Sequence, residues 1–278
     1  MEWLDIWAAA SSGHVARTSE GWHDHVMTAS QIPSTAQGAL VTGATSGLGR
    51  AVALSLAARG MNVAALGRSE PDLADLEGEL TSLGVRVLTL AVDLADTGAL
   101  GAVVDRAAAE LGGLGVLVNA AGTDVPGSAE ELSLADWERV VAVNLTAPFA
   151  LAKAAMPHLR RAGGGLVVNI SSVAGRRGWA NASAYCSTKF ALTGLTQSLA
   201  AEGRADGIRA CVLYPGAMQT NWGTFDPEQR RPPAEPTDER DSLDPAVVAD
   251  LITWMATSPG QPVLNEVTMT PLNEGGWP

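Results

Sequence analysis

Short, continuous apolar runs alternate with longer stretches of helical periodicity from Gly38 to the end of the chain, and this alternation strongly constrains the fold. Continuous apolar runs are typical of strands that are buried on both faces. A strand, helix, strand order that repeats six times predicts a parallel sheet with right-handed crossovers and helices on both faces. We therefore predict one doubly wound, Rossmann-type α/β domain over residues 37–278, with a seven-stranded parallel sheet.

The predicted elements follow this alternation along the chain. The strands are predicted at Ala39–Val41, Asn62–Leu66, Val85–Val92, Gly115–Val118, Leu166–Ile170, Ile208–Leu213 and Glu266–Met269. The helices are predicted near 47–59, 70–83, 97–111, 133–161, 184–205 and 245–257. Ligands of such sheets bind beyond the carboxyl ends of the strands, so we expect the chemistry in the loops that follow them.

The balance of charged and apolar residues excludes several functional classes. Of the 278 residues, 46% are hydrophobic and 17% are charged, whereas disordered chains are rich in charge and poor in apolar residues. Lys and Arg number 18 against 30 Asp and Glu, and the net charge of −12 argues against nucleic acid as a partner. No apolar run reaches the roughly 20 residues of a membrane span, so we expect no membrane partner either.

Residues 1–36 differ from the predicted domain, because Trp3, Trp7 and Trp22 are scattered among small and polar residues without a sustained period. We interpret this segment as an extension that is partly disordered or packed on the surface. His23 and His25 stand two apart, but further ligands are missing nearby and we expect no metal site. An alternative is that the extension recruits a partner enzyme.

The cysteines and the N-terminus indicate a cellular location. Cys186 and Cys211 have no metal-binding spacing and are interpreted as thiols kept in a reducing compartment. Glu2 and Asp5 lie at an N-terminus that lacks a basic region, which is not typical of a secretory signal. We therefore expect a cytoplasmic protein.

A glycine-rich loop, Thr42–Gly49, joins the first predicted strand to the first helix. Gly43 permits the turn out of the strand, Gly47 lets a phosphate approach the backbone, and Gly49 lets the helix pack on the strand. The N–H groups at the start of the helix then face an anion. The spacing is G-x-x-x-G-x-G rather than the common G-x-G-x-x-G. The alternative is an ordinary tight turn between strand and helix.

This loop, TGATSGLG, resembles the cofactor loop of the short-chain dehydrogenases/reductases, and further matches cover most of residues 38–270. They comprise an Asp after strand three, an N-A-A-G segment after strand four, an S-x12-Y-x3-K spacing and a P-G-x-x-x-T segment after strand six. The cofactor-binding residues that the resemblance and the loop imply are Gly43, Thr45, Ser46, Gly47, Leu48, Gly49, Arg68, Asp93, Leu94, Asn119, Ala120, Gly122, Tyr185, Lys189, Pro215, Gly216 and Thr220.

The end of the second strand bears on the choice of nicotinamide cofactor. An NAD enzyme usually places Asp or Glu there to accept a hydrogen bond from the ribose 2′-hydroxyl. This chain has Gly67 followed by Arg68, and a permanently charged guanidinium suits a 2′-phosphate. We therefore expect NADPH rather than NADH, with Arg50 as a possible second charge. The alternative is a solvated surface arginine.

The predicted catalytic residues are Ser172, Tyr185 and Lys189. Tyr185 and Lys189 are four residues apart on a predicted helix and so share one face. An ammonium group within about 4–6 Å can lower a tyrosine pKa by roughly 1–3 units, which predicts an acid/base pair. The family resemblance implies that Ser172 donates a hydrogen bond to the substrate oxygen, Tyr185 gives it a proton, and Lys189 binds the cofactor ribose.

Asn144 is a further predicted catalytic residue. Pro148 lies four residues later and has no N–H, so the Asn144 carbonyl loses its helical partner and the helix should kink. The family resemblance implies that an Asn here holds a water in a proton relay to the lysine. The alternative is a kink that serves packing alone.

The segment 216–244 is long and proline-rich, and the family resemblance implies a lid over the substrate. Trp222 lies within it, and Trp179 precedes Tyr185; both are candidate walls of the substrate pocket. Arg176 and Arg177 could recognise an acidic substrate group, although such pairs are more often solvated.

These observations favour an NADPH-dependent oxidoreductase that reversibly reduces a ketone or aldehyde to an alcohol. An epimerase or imine reductase on the same scaffold, a cofactor-binding sensor without turnover, and a subunit of a pathway complex remain as alternatives. The helices near 133–161 and 184–205 are apolar on more than one face, and family members often pair these helices. We therefore expect a homo-oligomer, a tetramer or a dimer.

Overall fold

The computed structural model describes residues 38–220, 222, 238, 240–258 and 262–275. Its strands are β1 (Gly38–Thr42), β2 (Asn62–Gly67), β3 (Val87–Ala91), β4 (Val116–Asn119), β5 (Gly165–Ile170), β6 (Ile208–Pro215) and β7 (Glu266–Met269). Its α-helices are α1 (Gly47–Ala58), α2 (Glu70–Ser82), α3 (Leu100–Leu111), α4 (Leu134–Val141), α5 (Ala147–Arg161), α6 (Ser183–Gly203) and α7 (Pro245–Thr257). The predicted extension, with His23 and His25, lies outside the described residues.

The described strands form one parallel sheet in the order β3-β2-β1-β4-β5-β6-β7, which confirms the predicted seven-stranded doubly wound fold. The chain moves outward from β1 to β3 and then returns to β4 on the other side of β1. This reversal brings the ends of β1 and β4 together, with Thr42 paired to Asn119. A switch point of this kind opens a crevice beyond the carboxyl ends of the strands.

The core is divided between the two faces of the sheet, because successive strand residues point to opposite faces. Leu40 lies in one apolar cluster with Leu151 of α5 and residues of α3. Val41 lies in the other with Leu56 of α1 and Ile252 of α7. All five side chains are fully buried, so the helices cover both faces as predicted.

The predicted helix 133–161 is interrupted in the middle. It is divided into α4, a π-helical turn at Ala142–Thr146, and α5. Pro148 lies in the first turn of α5, and the Ala147 N–H reaches back five residues to the Ala142 carbonyl. The predicted interruption at Asn144 therefore takes the form of a π turn, a feature that is frequent at functional sites.

The run Leu134–Arg161 is, within the described part of the chain, the one helical stretch long and apolar enough by composition to cross a membrane. It contains Asp136 and Arg139, which is why no uninterrupted apolar run of that length appears in the sequence. Leu151 and Leu159 within it are fully buried, as expected for a helix that packs in a core.

Candidate active site

A cavity of about 530 Å³ lies beyond the carboxyl ends of the strands, where the topology predicts a ligand. Most of the residues singled out in the sequence line it. These are Gly43, Thr45, Ser46, Gly47, Leu48, Gly49, Arg68, Asp93, Leu94, Ala120, Gly122, Ser172, Trp179, Tyr185, Pro215, Gly216, Thr220 and Trp222. Three more of the predicted catalytic and cofactor-binding residues, Asn119, Asn144 and Lys189, are buried instead.

The glycine loop has the conformation that its sequence requires. Gly43 and Gly47 have φ angles of +66° and +52°, a region that other residues rarely adopt. A Cβ on Gly49 would lie 2.9 Å from the Thr42 carbonyl oxygen, so only glycine lets α1 pack this closely on the strand. Ser46 precedes α1 and makes no side-chain capping bond. The loop therefore forms a cradle of backbone N–H groups at a helix start, which suits a phosphate.

Two arginines and one aspartate lie at the end of the cavity beyond β2 and β3. Asp93 accepts a hydrogen bond from the Ala95 N–H at 3.0 Å and one from Arg139 at 3.4 Å. These bonds, together with the nearby charge of Arg68, lower the pKa of Asp93. Arg139 was not predicted from the sequence to be part of the site. The suggested second charge, Arg50, instead forms an ion pair with Glu79 on α2.

Asn119 differs from its predicted role as a direct cofactor contact, because it is buried and bonds to other protein groups. Its Nδ2 donates to Asn169 Oδ1 at 2.8 Å, and Asn169 Nδ2 donates to Thr196 Oγ1 at 2.8 Å. This buried chain of amides ties β4 and β5 to α6. Among the described residues, Asn119 Oδ1 has no hydrogen-bond partner although it is buried.

The structure brings Ser172, Tyr185 and Lys189 together. Ser172 follows β5 and accepts a hydrogen bond from the Ala174 N–H at 3.1 Å, so its own hydroxyl proton is available to another acceptor. The Ser172 side chain lies close enough to the Tyr185 phenol to act on the pKa of that phenol. Lys189 Nζ lies 5.4 Å from the centroid of the Tyr185 ring.

Burial dominates the electrostatics of the pair on α6. It raises the pKa of Tyr185, and the Ser172 side chain opposes that rise only in part. Burial also lowers the pKa of Lys189 to about 8. In the cofactor-free protein the Tyr185 pKa is therefore raised, in contrast to the lowering expected from Lys189, because desolvation of the phenolate dominates. Tyr185 is held as a phenol, which is the form that donates a proton.

Close contacts between β5 and α6 set the position of Lys189. Its Nζ donates to the Ile170 carbonyl at 2.8 Å, and Ser171 Oγ donates to the Lys189 carbonyl at 2.9 Å. Gly175, in the short turn after Ser172, lies so close to α6 that a Cβ would be 2.8 Å from the Lys189 carbonyl oxygen. The missing side chain thus allows Ser172 and Lys189 to share one site.

Asn144 holds the segment that follows the N-A-A-G motif. Its Nδ2 donates to the Thr123 carbonyl, and its Oδ1 accepts from the Thr123 N–H, both at 2.8 Å. Nδ2 also lies 3.2 Å from Thr188 Oγ1 on α6. The side chain is therefore fully used in positioning. The Asn144 carbonyl, in the π turn, lacks its usual helical partner four residues on, because Pro148 has no N–H.

Trp179 and Trp222 line the cavity beside the predicted proton donor, and both are partly exposed. The Trp222 ring centroid lies 5.1 Å from that of Tyr185, with a 47° angle between the planes. The same indole lies 3.4 Å from the position that a Cβ would take at Gly122. Most of the predicted lid at 216–244 lies outside the described residues.

The paired arginines do not face the cavity. Arg176 forms an ion pair with Glu266 and lies 4.0 Å above the centroid of the Tyr214 ring. Arg177 contacts the Gly275 carbonyl at 3.4 Å. Neither arginine lines the described cavity, so the structure gives no support to recognition of an acidic substrate group by this pair.

The site also contains acidic side chains that no motif indicated. Asp124 is half-buried near Tyr185, and burial raises the pKa of its carboxyl group. Glu274, in the C-terminal tail, lines the cavity and accepts a hydrogen bond from the Ala217 N–H at 2.7 Å. Both sit in loops whose approach to the site depends on tertiary contacts, so a spacing rule could not find them.

Comparisons with known proteins agree with this geometry. A family model described as short chain dehydrogenase matches residues 37–231. Cis-4-hydroxycyclohexanecarboxylate dehydrogenase of Sinomonas cyclohexanicum is 40% identical over 183 residues, 66% of this chain and 73% of that protein. D-threitol dehydrogenase of Mycolicibacterium smegmatis is 37% identical over 185 residues, 66% and 71% of the two chains. A metagenomic short-chain oxidoreductase in complex with NADP is 32% identical with a TM-score of 0.72, covering 84% and 96%.

The fold and the site are those of an oxidoreductase of the Rossmann class, in a family that binds nicotinamide cofactors. The chain belongs to the short chain dehydrogenase family. Its activity is therefore on alcohols and ketones, with a small-molecule substrate.

Proposed function

We propose that this protein is an NADPH-dependent reductase that converts a ketone or aldehyde to an alcohol, reversibly. The observation that carries the proposal is the convergence of Ser172, Tyr185 and Lys189 on a cavity that begins at a glycine cradle. When bound, the cofactor supplies or accepts a hydride at C4 of its nicotinamide ring. The protein supplies the proton, and it orients the carbonyl.

The cavity fits a dinucleotide. Its two ends differ, with Arg68 beyond β2 and Tyr185 on α6, and the phosphate cradle of α1 lies between them along the strand ends. A Cβ on Gly43 would lie 2.9 Å from the Ala121 Cα, so glycine there lets the loops after β1 and β4 pack together at the strand ends. The residues implied by the family resemblance would thus hold the adenosine, the diphosphate and the nicotinamide in that order.

The catalytic steps follow from the protonation states. Ser172 donates a hydrogen bond to the carbonyl oxygen while the carbonyl carbon accepts the hydride, a pair of electrons with its proton. Tyr185 gives its phenolic proton to the oxygen, and the alcohol forms. Lys189, with its lowered pKa, would hold the ribose hydroxyls of the cofactor and return a proton to Tyr185. A water on the Asn144 carbonyl is the route by which Lys189 is reprotonated.

The expected preference for NADPH is supported by two cations at the adenosine end. Arg68 and Arg139 both line the cavity there, and Gly67 stands where an NAD enzyme would place a carboxylate. A guanidinium group can bind a 2′-phosphate with charge-assisted hydrogen bonds. The NADP in the metagenomic relative's structure points the same way.

The substrate is proposed to be a small secondary alcohol or its ketone. The relatives act on a ring hydroxyl and on a linear polyol, according to their names. Trp179 and Trp222 offer flat apolar walls beside Tyr185, which suits a ring. We also propose that the segment 216–244 forms a lid over the substrate.

We also propose an assembly and a location for the protein. Phe149 on α5 and Phe190 on α6 are about half exposed, and such apolar side chains on neighbouring helices favour pairing with a second copy. Cys186 and Cys211 are both free thiols, which is compatible with a cytoplasmic location. Sedimentation at micromolar concentration tests the first point, and a monomeric mass would overturn it.

Two measurements test the proposal. Oxidation of NADPH is followed with a panel of ketones and aldehydes that includes a substituted cyclohexanone and a ketotetrose, and turnover of at least one is expected. Dissociation constants for NADPH and NADH are measured for the wild type, Arg68→Ala and the matched control Arg59→Ala, at an exposed position at the far end of α1. Loss of one charge-assisted contact should raise the dissociation constant of NADPH about tenfold in Arg68→Ala and leave it unchanged in Arg59→Ala. Equal affinity for the two cofactors in the wild type would contradict the preference.

A further inference from the structure

Glu274 is a carboxylate in the cofactor cavity that the proposed reaction does not use. It lines the cavity from the C-terminal tail, after β7, and is half-buried. Its Oε2 accepts the Ala217 N–H at 2.7 Å. A Cβ on Gly216 would lie 2.9 Å from the Glu274 carboxyl carbon, so glycine at 216 is what lets the carboxylate approach the loop.

Backbone contacts place this carboxylate at the catalytic end of the cavity. The Ser171 N–H donates to the Leu213 carbonyl at 2.7 Å, so the end of β6 runs beside the strand that leads to Ser172. Pro215 is the last residue of β6 and Gly216 follows it, and the Gly216 N–H donates to the Met269 carbonyl at 2.8 Å. The loop that Glu274 holds is therefore adjacent to the proposed proton donor and far along the sheet from Arg68.

The charge of Glu274 is not neutralised by an ion pair within the described part of the chain. The neighbouring Arg177 directs its guanidinium to the Gly275 carbonyl instead. Lys189 Nζ, the buried cation of the site, donates to the Ile170 carbonyl. A negative charge thus faces the region where the redox-active ring must lie if the proposed function is correct.

We propose that Glu274 is a positioning and electrostatic residue that makes the protein bind the oxidised cofactor more tightly than it otherwise would. The inference rests on the proposed function. The oxidised nicotinamide ring is a cation and the reduced ring is neutral, so a nearby carboxylate attracts only the first. The phosphates are the same in both forms, and their repulsion by Glu274 cancels in a comparison of the two.

This difference has a consequence for the direction of the reaction. A site that stabilises the oxidised ring makes the reduced ring a stronger hydride donor, because transfer of the hydride leaves the ring cationic. A tenfold change in the ratio of affinities corresponds to about 30 mV in the potential of the bound two-electron couple. Glu274 therefore favours reduction of the carbonyl substrate by the bound cofactor.

The test is binding rather than turnover. Dissociation constants for NADP⁺ and NADPH are measured by isothermal titration calorimetry for the wild type, Glu274→Gln, Glu274→Asp and the control Glu110→Gln. Glutamine keeps an oxygen that can accept the Ala217 N–H and removes only the charge. Glu110 is exposed near the end of α3 and does not line the cavity, and its substitution changes the net charge equally.

We expect the ratio of the NADP⁺ to the NADPH dissociation constant to rise about three- to tenfold in Glu274→Gln, because the carboxylate is partly solvated and its field is screened. The ratio should stay at the wild-type value in Glu110→Gln and near it in Glu274→Asp, which keeps the charge. If the wild type binds both cofactors and the ratio is unchanged in Glu274→Gln, this inference is overturned and the proposed function still stands. Failure of the wild type to bind either cofactor would instead overturn the proposed function and, with it, this inference.

Discussion

The buried ammonium group of Lys189 makes a quantitative prediction about stability. Burial lowers its pKa from 10.5 to about 8, while the Nζ donates to the Ile170 carbonyl at 2.8 Å. Because the folded pKa lies below the unfolded one, the unfolded chain binds more protons between these two values. The free energy of unfolding must therefore rise with pH across that window. Below pH 8 the folded protein bears the full cost of a buried charge.

The magnitude follows from the shift. Each unit of pKa difference corresponds to about 1.4 kcal/mol, so the shift from 10.5 to about 8 amounts to about 3 kcal/mol in all. Between about pH 7 and about pH 9.5 the stability gain from this one group should be about 2 kcal/mol. The raised pKa of Tyr185 lowers the free energy of unfolding only above that range, because there the unfolded chain loses the tyrosine proton before the folded protein does.

The assay compares the wild type with Lys189→Met, which keeps the length and removes the charge. Urea unfolding is followed by tryptophan fluorescence at several pH values at a fixed protein concentration. The loss of the bond to the Ile170 carbonyl costs the variant a pH-independent amount. The difference between the two proteins should therefore grow in favour of the wild type as pH rises. A difference that stays flat, or that falls with pH, would refute the assignment of a desolvated ammonium.

Three further substitutions test how the site is held together. Gly175→Ala puts a Cβ against the Lys189 carbonyl and should lower kcat at least about tenfold, since misplacement by an ångström is costly in catalysis; steady-state kinetics at saturating cofactor measures it. Asn169→Leu removes a buried amide with two side-chain partners and should lower the free energy of unfolding by about 2–4 kcal/mol in urea titration. Asn144→Ala frees the N–H and carbonyl of Thr123 and should cost about 2–3 kcal/mol, with kcat falling more than KM changes.

Matched positions control these experiments. Gly78 and Gly101 lie in α2 and α3 with no atom within 4 Å of an added Cβ, so alanine there should leave kcat unchanged and preserve or raise stability. Wild-type kcat in Gly175→Ala would contradict the close-packing argument. A loss of less than about 0.5 kcal/mol in Asn169→Leu, within the range of surface substitutions, would show that the buried amides do not stabilise the sheet.

Local pattern was enough to predict the order of elements and much of the site. The apolar run Asn62–Leu66, placed between two helical stretches, predicts the buried strand that is observed. The glycines at 43, 47 and 49 permit the turn that joins β1 to α1. Pro148 removes one N–H, and from that alone an interruption at Asn144 follows. These inferences succeed because each depends on a few neighbouring residues.

Other features depend on contacts between distant segments and could not be predicted. The direction of the Tyr185 pKa shift is decided by burial, which α6 acquires only when it packs against β5 and the Trp222 indole. Arg139 reaches Asp93 across 46 residues, and Glu274 reaches Ala217 across 57. Asn119 belongs to the N-A-A-G motif, but its side chain bonds to the buried Asn169 and does not line the cavity.

The central claim is that Tyr185 donates the proton in a reduction driven by NADPH. Its most direct test is the rate of NADPH oxidation with an active ketone for the wild type and Tyr185→Phe, with the NADPH dissociation constant measured for both. We predict that the variant loses about 10²–10⁴-fold in kcat and keeps its affinity for NADPH, since only the hydroxyl is removed. Turnover by Tyr185→Phe within about tenfold of the wild type, below the range expected for a general acid, would contradict the account.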